Sequence, residues 1–523
     1  MAAPTRAQIE ATYALPKYKV EIYTRSPSVW TQILDARVVS ISGDTSATDN
    51  DSNAVAFGSP SDSSATVEVE DYAISGTYLS NPYWINRLVR ISLGFDTSDF
   101  VVVYQGPITS IDKSNETITY NLGSSLDFLN LVKIHTPIYY RRPIATKTTI
   151  ATQENPDLGG YVGGLLNLML WRAGGRPLEQ KGLNYNEDDY SWRFWYSLEQ
   201  SLVTPDFTWL SGENAKDEIF SMVRATGGQL YQALDGVVRF VQPLSFGDIT
   251  NYSSYYVFTD SVFDGYSEHL EAGEDLTKVS LTFTPRRVDP EQELIEDTTP
   301  RFFAPGEYKW IELAAQNPVW NYLGLIPYNQ QTAVNNMQYF LLDGRVAIPY
   351  IYDIVTNAGQ LTIGISNSDN DSPMVLNSIK IKGRPLGVAD EQTATYDAGY
   401  SFFGYSDLPA RNLENNPYVQ NQAHAERLVR MYYDFYAERK ATITLDNVQY
   451  DPDRYVGELV QLNTRYNLNN PALTIYRITS ISHSNLGTTM SVGLVKVSAL
   501  PSRDEMFIIG GTYAAGTVKK LSY

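Results

Sequence analysis

Two stretches set 370 residues apart decide the reading of this chain: Ile-Thr-Ser-Ile-Asp-Lys-Ser-Asn at 108–115 and Ile-Thr-Ser-Ile-Ser-His-Ser-Asn at 478–485, identical at six of eight positions. After a two-residue insertion the match continues as TITYNL (117–122) against TMSVGL (489–494). Backwards, YQGPITSI matches IYRITSI, and LVRISL before a polar hairpin loop matches ELVQL before RYNLNN. Ile118, Tyr120 and Leu122 alternate with polar residues, as do Val89, Ile91 and Leu93; this two-residue period marks half-buried strands. Both segments run strand, polar turn, strand, ITSI, turn, alternating strand. Ile, Thr and Ser are common in strands, so chance competes with duplication, but shared order and spacing favour a duplicated β-barrel, one copy near each end.

The rest of the chain falls around these copies. Residues 1–16 are an N-terminal arm, and 17–135 form the first barrel, with Gly43 to Ser64 read as a long exposed loop. A Pro-bounded linker spans 136–160. Residues 161–265 are an α+β module. In it GGLLNLMLWRAGG forms a short buried helix stopped by Gly174 and Gly175. A second helix is capped by Ser211 or Asn214 and ended by Gly227 and Gly228, and Asp235-Gly236 then signals a hairpin. Residues 266–297 are a strand segment joining the second barrel, and 298–415 a β-rich insertion. Residues 416–500 hold a helix at 417–439 and the second barrel, and 501–523 are a C-terminal tail. The expected fold class is mainly β with a smaller α+β part: two related small β-barrels flanking the module and the insertion.

Composition limits the chemistry. The 523 residues imply several domains. Forty basic and 59 acidic side chains leave a net charge of −19, which argues against wrapping nucleic acid or docking on an anionic membrane. With no cysteine, disulfides, thiolate metal sites and cysteine nucleophiles are excluded. The N-terminal stretch has no apolar h-region of a signal peptide, and no apolar run is long enough to span a bilayer. The 38 Tyr and 35 Gly suit β-structure with many turns.

Site motifs are scarce. His135, His269, His424 and His483 are too far apart for a local metal site. Asp49, Asp51 and Asn53, and likewise Asn367, Asp369 and Asp371, alternate as in a calcium loop. The required Gly and Glu positions are Ala54 and Pro60 in the first and Ser372 and Ser378 in the second, so both are read as solvated loop tips. Asp188, Asp189, Trp192, Trp195 and Tyr196, with Trp209 nearby, could bind sugar or hydrolyse a glycoside. Trp192 and Trp195 are three apart, as a buried helical or loop anchor would be, so core packing or a subunit interface is the favoured reading. No catalytic, metal-binding or cofactor-binding residue is expected.

The chain resembles the tail-hub (baseplate hub, minor tail) proteins of tailed bacteriophages, nearest to those of long non-contractile tails. Four features carry the resemblance: FGSPSDSSATVEVED followed by WINRLVRISLG and VVVYQGPITSI; GGLLNLMLWRAGG followed by FTWLSGENAKDEIFSMVRATGGQLYQALDGVVRF; the strand KVSLTFTPRR; and AHAERLVRMYYDFYAERKATITL followed by DRYVGELVQL and YRITSISHS. They cover roughly 17–290 and 417–500, and not the insertion. The resemblance implies a non-enzymatic homotrimer in which six barrels adapt a sixfold tail tube to a threefold tip, at the distal end of a virion tail made in host cytoplasm. It implies as partners the tail tube or a distal ring protein, the tape-measure protein, a central fibre or spike and peripheral tip proteins, with DNA passing through a lumen without sequence-specific binding. An acidic lumen would keep phosphate from sticking. The second reading is a β-rich carbohydrate-binding protein or glycosidase acting on cell-surface polysaccharide. A third is a spike-type hub of a related secretion or contractile machine.

Overall fold

The computed structural model describes residues 17–46, 60–70, 84–148, 163–180, 193–241, 255–323, 337–399, 410–464 and 475–496, with short breaks inside these ranges. The fold is mainly β, divided among several sheets.

The two ITSI segments lie in one thirteen-stranded sheet of described strands. Its first half holds β1 (Lys17–Arg25), β2 (Ser28–Ile33), β3 (Val38–Ser46), β4 (Ser63–Glu70), β5 (Leu88–Gly94), β6 (Val101–Lys113) and β7 (Thr117–Leu122). Its second half holds β8 (Tyr256–Thr259), β9 (Gly265–Leu270), β10 (Ala441–Gln449), β11 (Leu459–Asn463), β12 (Ile475–Ser484) and β13 (Thr489–Lys496). The halves run β3-β4-β7-β6-β5-β1-β2 and β9-β10-β13-β12-β11-β8, so the order and the chain sequence of equivalent strands agree. Each half curls around its own core. Val20 and Ile22 of β1 share a cluster with Val67 of β4 and Tyr120 of β7, while Phe258, Leu445, Val460, Ile478 and Val492 share another. Among the described strands the second unit has one fewer: β8 lies parallel against β11, where the first unit has β1 antiparallel to β5.

The loop expected from Gly43 to Ser64 is shorter than its composition suggests. β3 continues to Ser46 and β4 starts at Ser63, because both edges of β3 find partners. At the equivalent place in the second unit, between β9 and β10, the chain inserts all of 271–440.

The middle module contains α1 (Leu165–Arg172) and α2 (Ala215–Thr226). Asn214 caps α2, its Oδ1 accepting the Lys216 N–H at 2.9 Å, and Gly227 ends it in the left-handed conformation at φ 68°. Strands Gln229–Gln232 and Val238–Val241 pair antiparallel, so the expected hairpin is present; Asp235 lies outside the described residues. Strand Phe194–Leu198 packs beside Val238–Val241, and Pro60–Ser61 from the first unit adds to the far edge. The third helix, α3 (Gln422–Tyr436), starts later than the expected 417, and 437–439 lie outside the described residues. Its Ala425, Leu428, Val429 and Tyr432 join the module core with Leu166, Ile219, Val223 and Phe283.

Three expected boundaries cut across these sheets. The boundary at 265/266 falls inside β9 and puts β8 in the module, yet both strands pair in the second unit. Arg286–Val288 and Gln292–Asp297, read as joining the second barrel, pair instead with Met374–Val388, the long central strand of the insertion. Gln392–Asp397 and Ala410–Leu413, read as insertion, pair with Lys278–Phe283 against the module core. The physical reason is common to all three: alternating strands carry no sequence mark of which sheet they join. A three-stranded sheet of Tyr308–Ala314, Gln360–Asn367 and Pro349–Thr356 completes the insertion, and its core is a separate cluster around Phe303, Ile363 and Leu376.

Candidate functional site

The two barrel units copy each other at residue level. In the first, Ile108 lies opposite Leu122, the register shifts, and Ser110, Ile111 and Asp112 lie opposite Asn121, Tyr120 and Thr119. In the second, Ile478 lies opposite Leu494, the register shifts at the same step, and Ser480, Ile481 and Ser482 lie opposite Gly493, Val492 and Ser491. A β-bulge therefore recurs at Thr109 and Thr479. Bulges re-aim a strand, and this one marks where the strand leaves one neighbour for another.

That neighbour changes at a matching turn. The Asn86 N–H donates to Ile108 O (2.8 Å) and the Ile108 N–H to Arg87 O (2.9 Å); the Gly457 N–H donates to Ile478 O (2.8 Å) and the Ile478 N–H to Glu458 O (2.9 Å). Asn86 has φ 66° and Gly457 φ 95°, and Asn and Gly are residues that tolerate this region. Sequence comparison missed this turn, WINR (84–87) against YVGE (455–458), because conformation is kept there and identity is not.

Beyond the bulge the copies differ in what covers them. β3 runs antiparallel along β12 as Ser42–Ser484, Gly43–His483, Asp44–Ser482, Thr45–Ile481 and Ser46–Ser480. This seam fuses the two units edge to edge. On the equivalent side of β6, no described strand lies along Ser110–Asp112. Burial follows: Thr479, Ile481 and His483 are buried, whereas Thr109 and Lys113 are exposed and Ile111 only half-buried. His483 is 3% exposed, neither ring nitrogen makes a hydrogen bond, and its ring meets Tyr450 at 5.7 Å. Burial pulls its pKa down to about 4, so it is neutral at pH 7.

The four histidines lie on separate elements. His135 is exposed on Lys133–His135 and His269 on β9. His424 is buried in α3, its Nε2 2.7 Å from Ala225 O, and burial lowers its pKa to about 4. Among the described residues no three His, Asp or Glu side chains gather as a metal would need. Asp369 Oδ1 accepts the backbone N–H of Asp371 and Ser372, both at 2.8 Å, and Arg345 Nη1 lies 3.0 Å from Oδ2. Those backbone bonds, then Arg345, hold the Asp369 carboxyl below its usual range. Asn367 is buried and donates to Ser372 O. This loop is closed by its own backbone and an arginine. Asp49, Asp51 and Asn53 lie outside the described residues.

Trp195 and Tyr196 sit in strand Phe194–Leu198 and both are buried, in keeping with the core packing expected of them. Neither can present a face to a sugar. Asp188, Asp189 and Trp192 lie outside the described residues. Trp209 stacks under the Arg286 guanidinium at 3.7 Å, and burial lowers the Arg286 pKa to about 10.

The insertion carries a different surface. Phe302 and Phe340 both lie opposite Val375, one on each side of it, so the three form a row across three strands. Both phenylalanines are exposed, as are Trp310, Leu342 and Val355 elsewhere in the insertion.

No protein-family model matches this chain, and no curated protein sequence does. Similar solved structures include a tail protein from Neisseria meningitidis MC58, with TM-score 0.43, 8% identity, and coverage of 92% of this chain and 96% of that one. Another is the prophage MuSo2 43 kDa tail protein from Shewanella oneidensis, with TM-score 0.41, 8% identity, and coverage of 92% and 98%. The E. coli c3393 protein, a type VI secretion component described as similar to T4 tail proteins gp27 and gp5, gives 0.35, 9%, 88% and 74%.

Proposed function

We propose that this chain is a structural, non-enzymatic hub protein of a phage tail tip, acting as a homotrimer whose six barrel units adapt a sixfold tube to a threefold tip. The observation that carries this reading is the duplication: two units with the same strand order, bulge and turn, fused edge to edge in one chain. A protein that must present six near-equivalent units from three subunits needs this arrangement, and an enzyme does not. With −19 per chain, three copies bring about −57 to one axis, which suits a lumen that DNA slides through without adhering. The tail tube or distal ring and the tape-measure protein are the axial partners in this reading. The row Phe302–Val375–Phe340, with both phenylalanines exposed, suits contact with peripheral tip proteins, since exposed aromatic clusters mark interfaces.

The test is the mass of the native particle in solution, together with tail-tip labelling by antibody in virions. A trimer located at the tail end supports the reading. A stable monomer absent from virions overturns it.

A further inference from the structure

β3 and β9 are equivalent: Ile41, Ser42 and Gly43 lie opposite Val67, Thr66 and Ala65 of β4, and Tyr266, Ser267 and Glu268 lie opposite Leu445, Thr444 and Ile443 of β10. Those partners are themselves equivalent, since Ala65 and Ile443 face Leu122 and Leu494. β3 uses its outer edge to pair with β12. β9 is the last described strand in the sheet order, and Ser267, Glu268 and His269 are exposed. The position equivalent to the covered edge of β12 is Ile111–Ser114, where Asp112, Lys113 and Ser114 are exposed.

Resting on the trimeric reading above, we propose that β9 of one copy pairs antiparallel with β6 of the next, with Glu268 opposite Lys113 and His269 opposite Asp112. The register is carried over residue for residue from Gly43–His483 and Asp44–Ser482. It places Ser267 against Ser114 and Leu270 against Ile111. Charge complementarity supports it, because the transferred pair Glu268–Lys113 joins opposite charges and His269–Asp112 sets an imidazole against a carboxylate. The side chains are held from within their own sheets: Tyr266 Oη donates to Glu268 at 3.1 Å, and Asn121 Nδ2 donates to Asp112 at 2.6 Å. The contrast between the seams also has a physical cause. The inner seam, Gly43–His483 and Asp44–Ser482, has no opposite-charge pair, since the chain itself brings its strands together. The outer one must select a partner and a register from solution, which opposite charges across paired strands do. Repeating it head to tail joins each copy to two neighbours.

Because the chain has no cysteine, the test is clean. The double variant Glu268→Cys with Lys113→Cys is oxidised and run on a non-reducing gel; residues directly opposite across antiparallel strands are within disulfide reach. Cross-linked multimers are expected. Asp44→Cys with Ser482→Cys, which should form a disulfide within one chain, controls for folding and oxidation. A trimer that fails to cross-link while the control does overturns this register and leaves the hub reading standing; a monomer overturns both. Independently, Glu268→Lys and Lys113→Glu should each weaken association about tenfold, and their combination should restore it. Failure of the combined variant to recover association also overturns the pairing.

Discussion

Gly43 stands directly opposite His483 across the seam between the two barrel units, and the imidazole there is buried without a hydrogen bond. Its pKa, like that of His424, is lowered to about 4 by burial. The unfolded chain takes up these protons near pH 6.5 and the folded chain only near pH 4, so stability rises with pH between those values. Urea unfolding should therefore show full stability above about pH 7 and a loss of roughly 3 kcal/mol per histidine on reaching about pH 4. His483→Leu should flatten that slope by about half. An unchanged slope would assign the effect to other groups.

Gln232 joins the first barrel unit to the middle module. Its Oε1 accepts the Ser125 N–H at 2.5 Å, and its Nε2 donates to Gln105 O at 2.5 Å. Gln232→Leu keeps the volume and strands both backbone groups, at a cost of about 3 kcal/mol. Thermal unfolding should show a clear fall in Tm. A shift within error would mean that water replaces the amide.

Asn86 and Gly457 hold equivalent left-handed turns with different side chains. Gly457→Val should cost about 2 kcal/mol or more, since a branched Cβ is strained at positive φ. Asn86→Gly should change stability by about half a kcal/mol or less. Equal effects from the two, by denaturant titration, would contradict the shared geometry.

The Asn214 cap offers a local check on the module. Asn214→Ala removes the acceptor for the Lys216 N–H and should cost about 1 kcal/mol. Asn214→Asp should retain most of the stability, read by the same titration.

The repeat was legible because both copies keep ITSI on the same bulged strand, where Ile108 and Ile478 are buried in their cores. Cap and stop residues of α2 were legible because their chemistry is local. The seam was not: Ser42 and Ser484 are paired across 442 residues, and neither strand carries a mark of the other. The sheet membership of Gln292–Asp297 was hidden for the same reason. The burial of Trp195 and Tyr196 was legible as core packing, while the strand that carries them, FWYSL, was not.

The insertion between β9 and β10 has a consequence for the order of folding. Leu270 pairs with Ala441, so the second unit cannot assemble until the chain has passed 170 intervening residues. The first unit has all its strands by Leu122. During synthesis at several residues per second it can fold many seconds earlier. Its β3 edge, which finally pairs with β12, is then exposed through most of translation. Such a waiting edge invites wrong pairing, and Asp44 on β3 places a charge there during that interval. The last of the described strands, β12 and β13, close the second unit and cover that edge in one step, so truncations before Ile475 leave the second unit unfinished and β3 without its β12 partner.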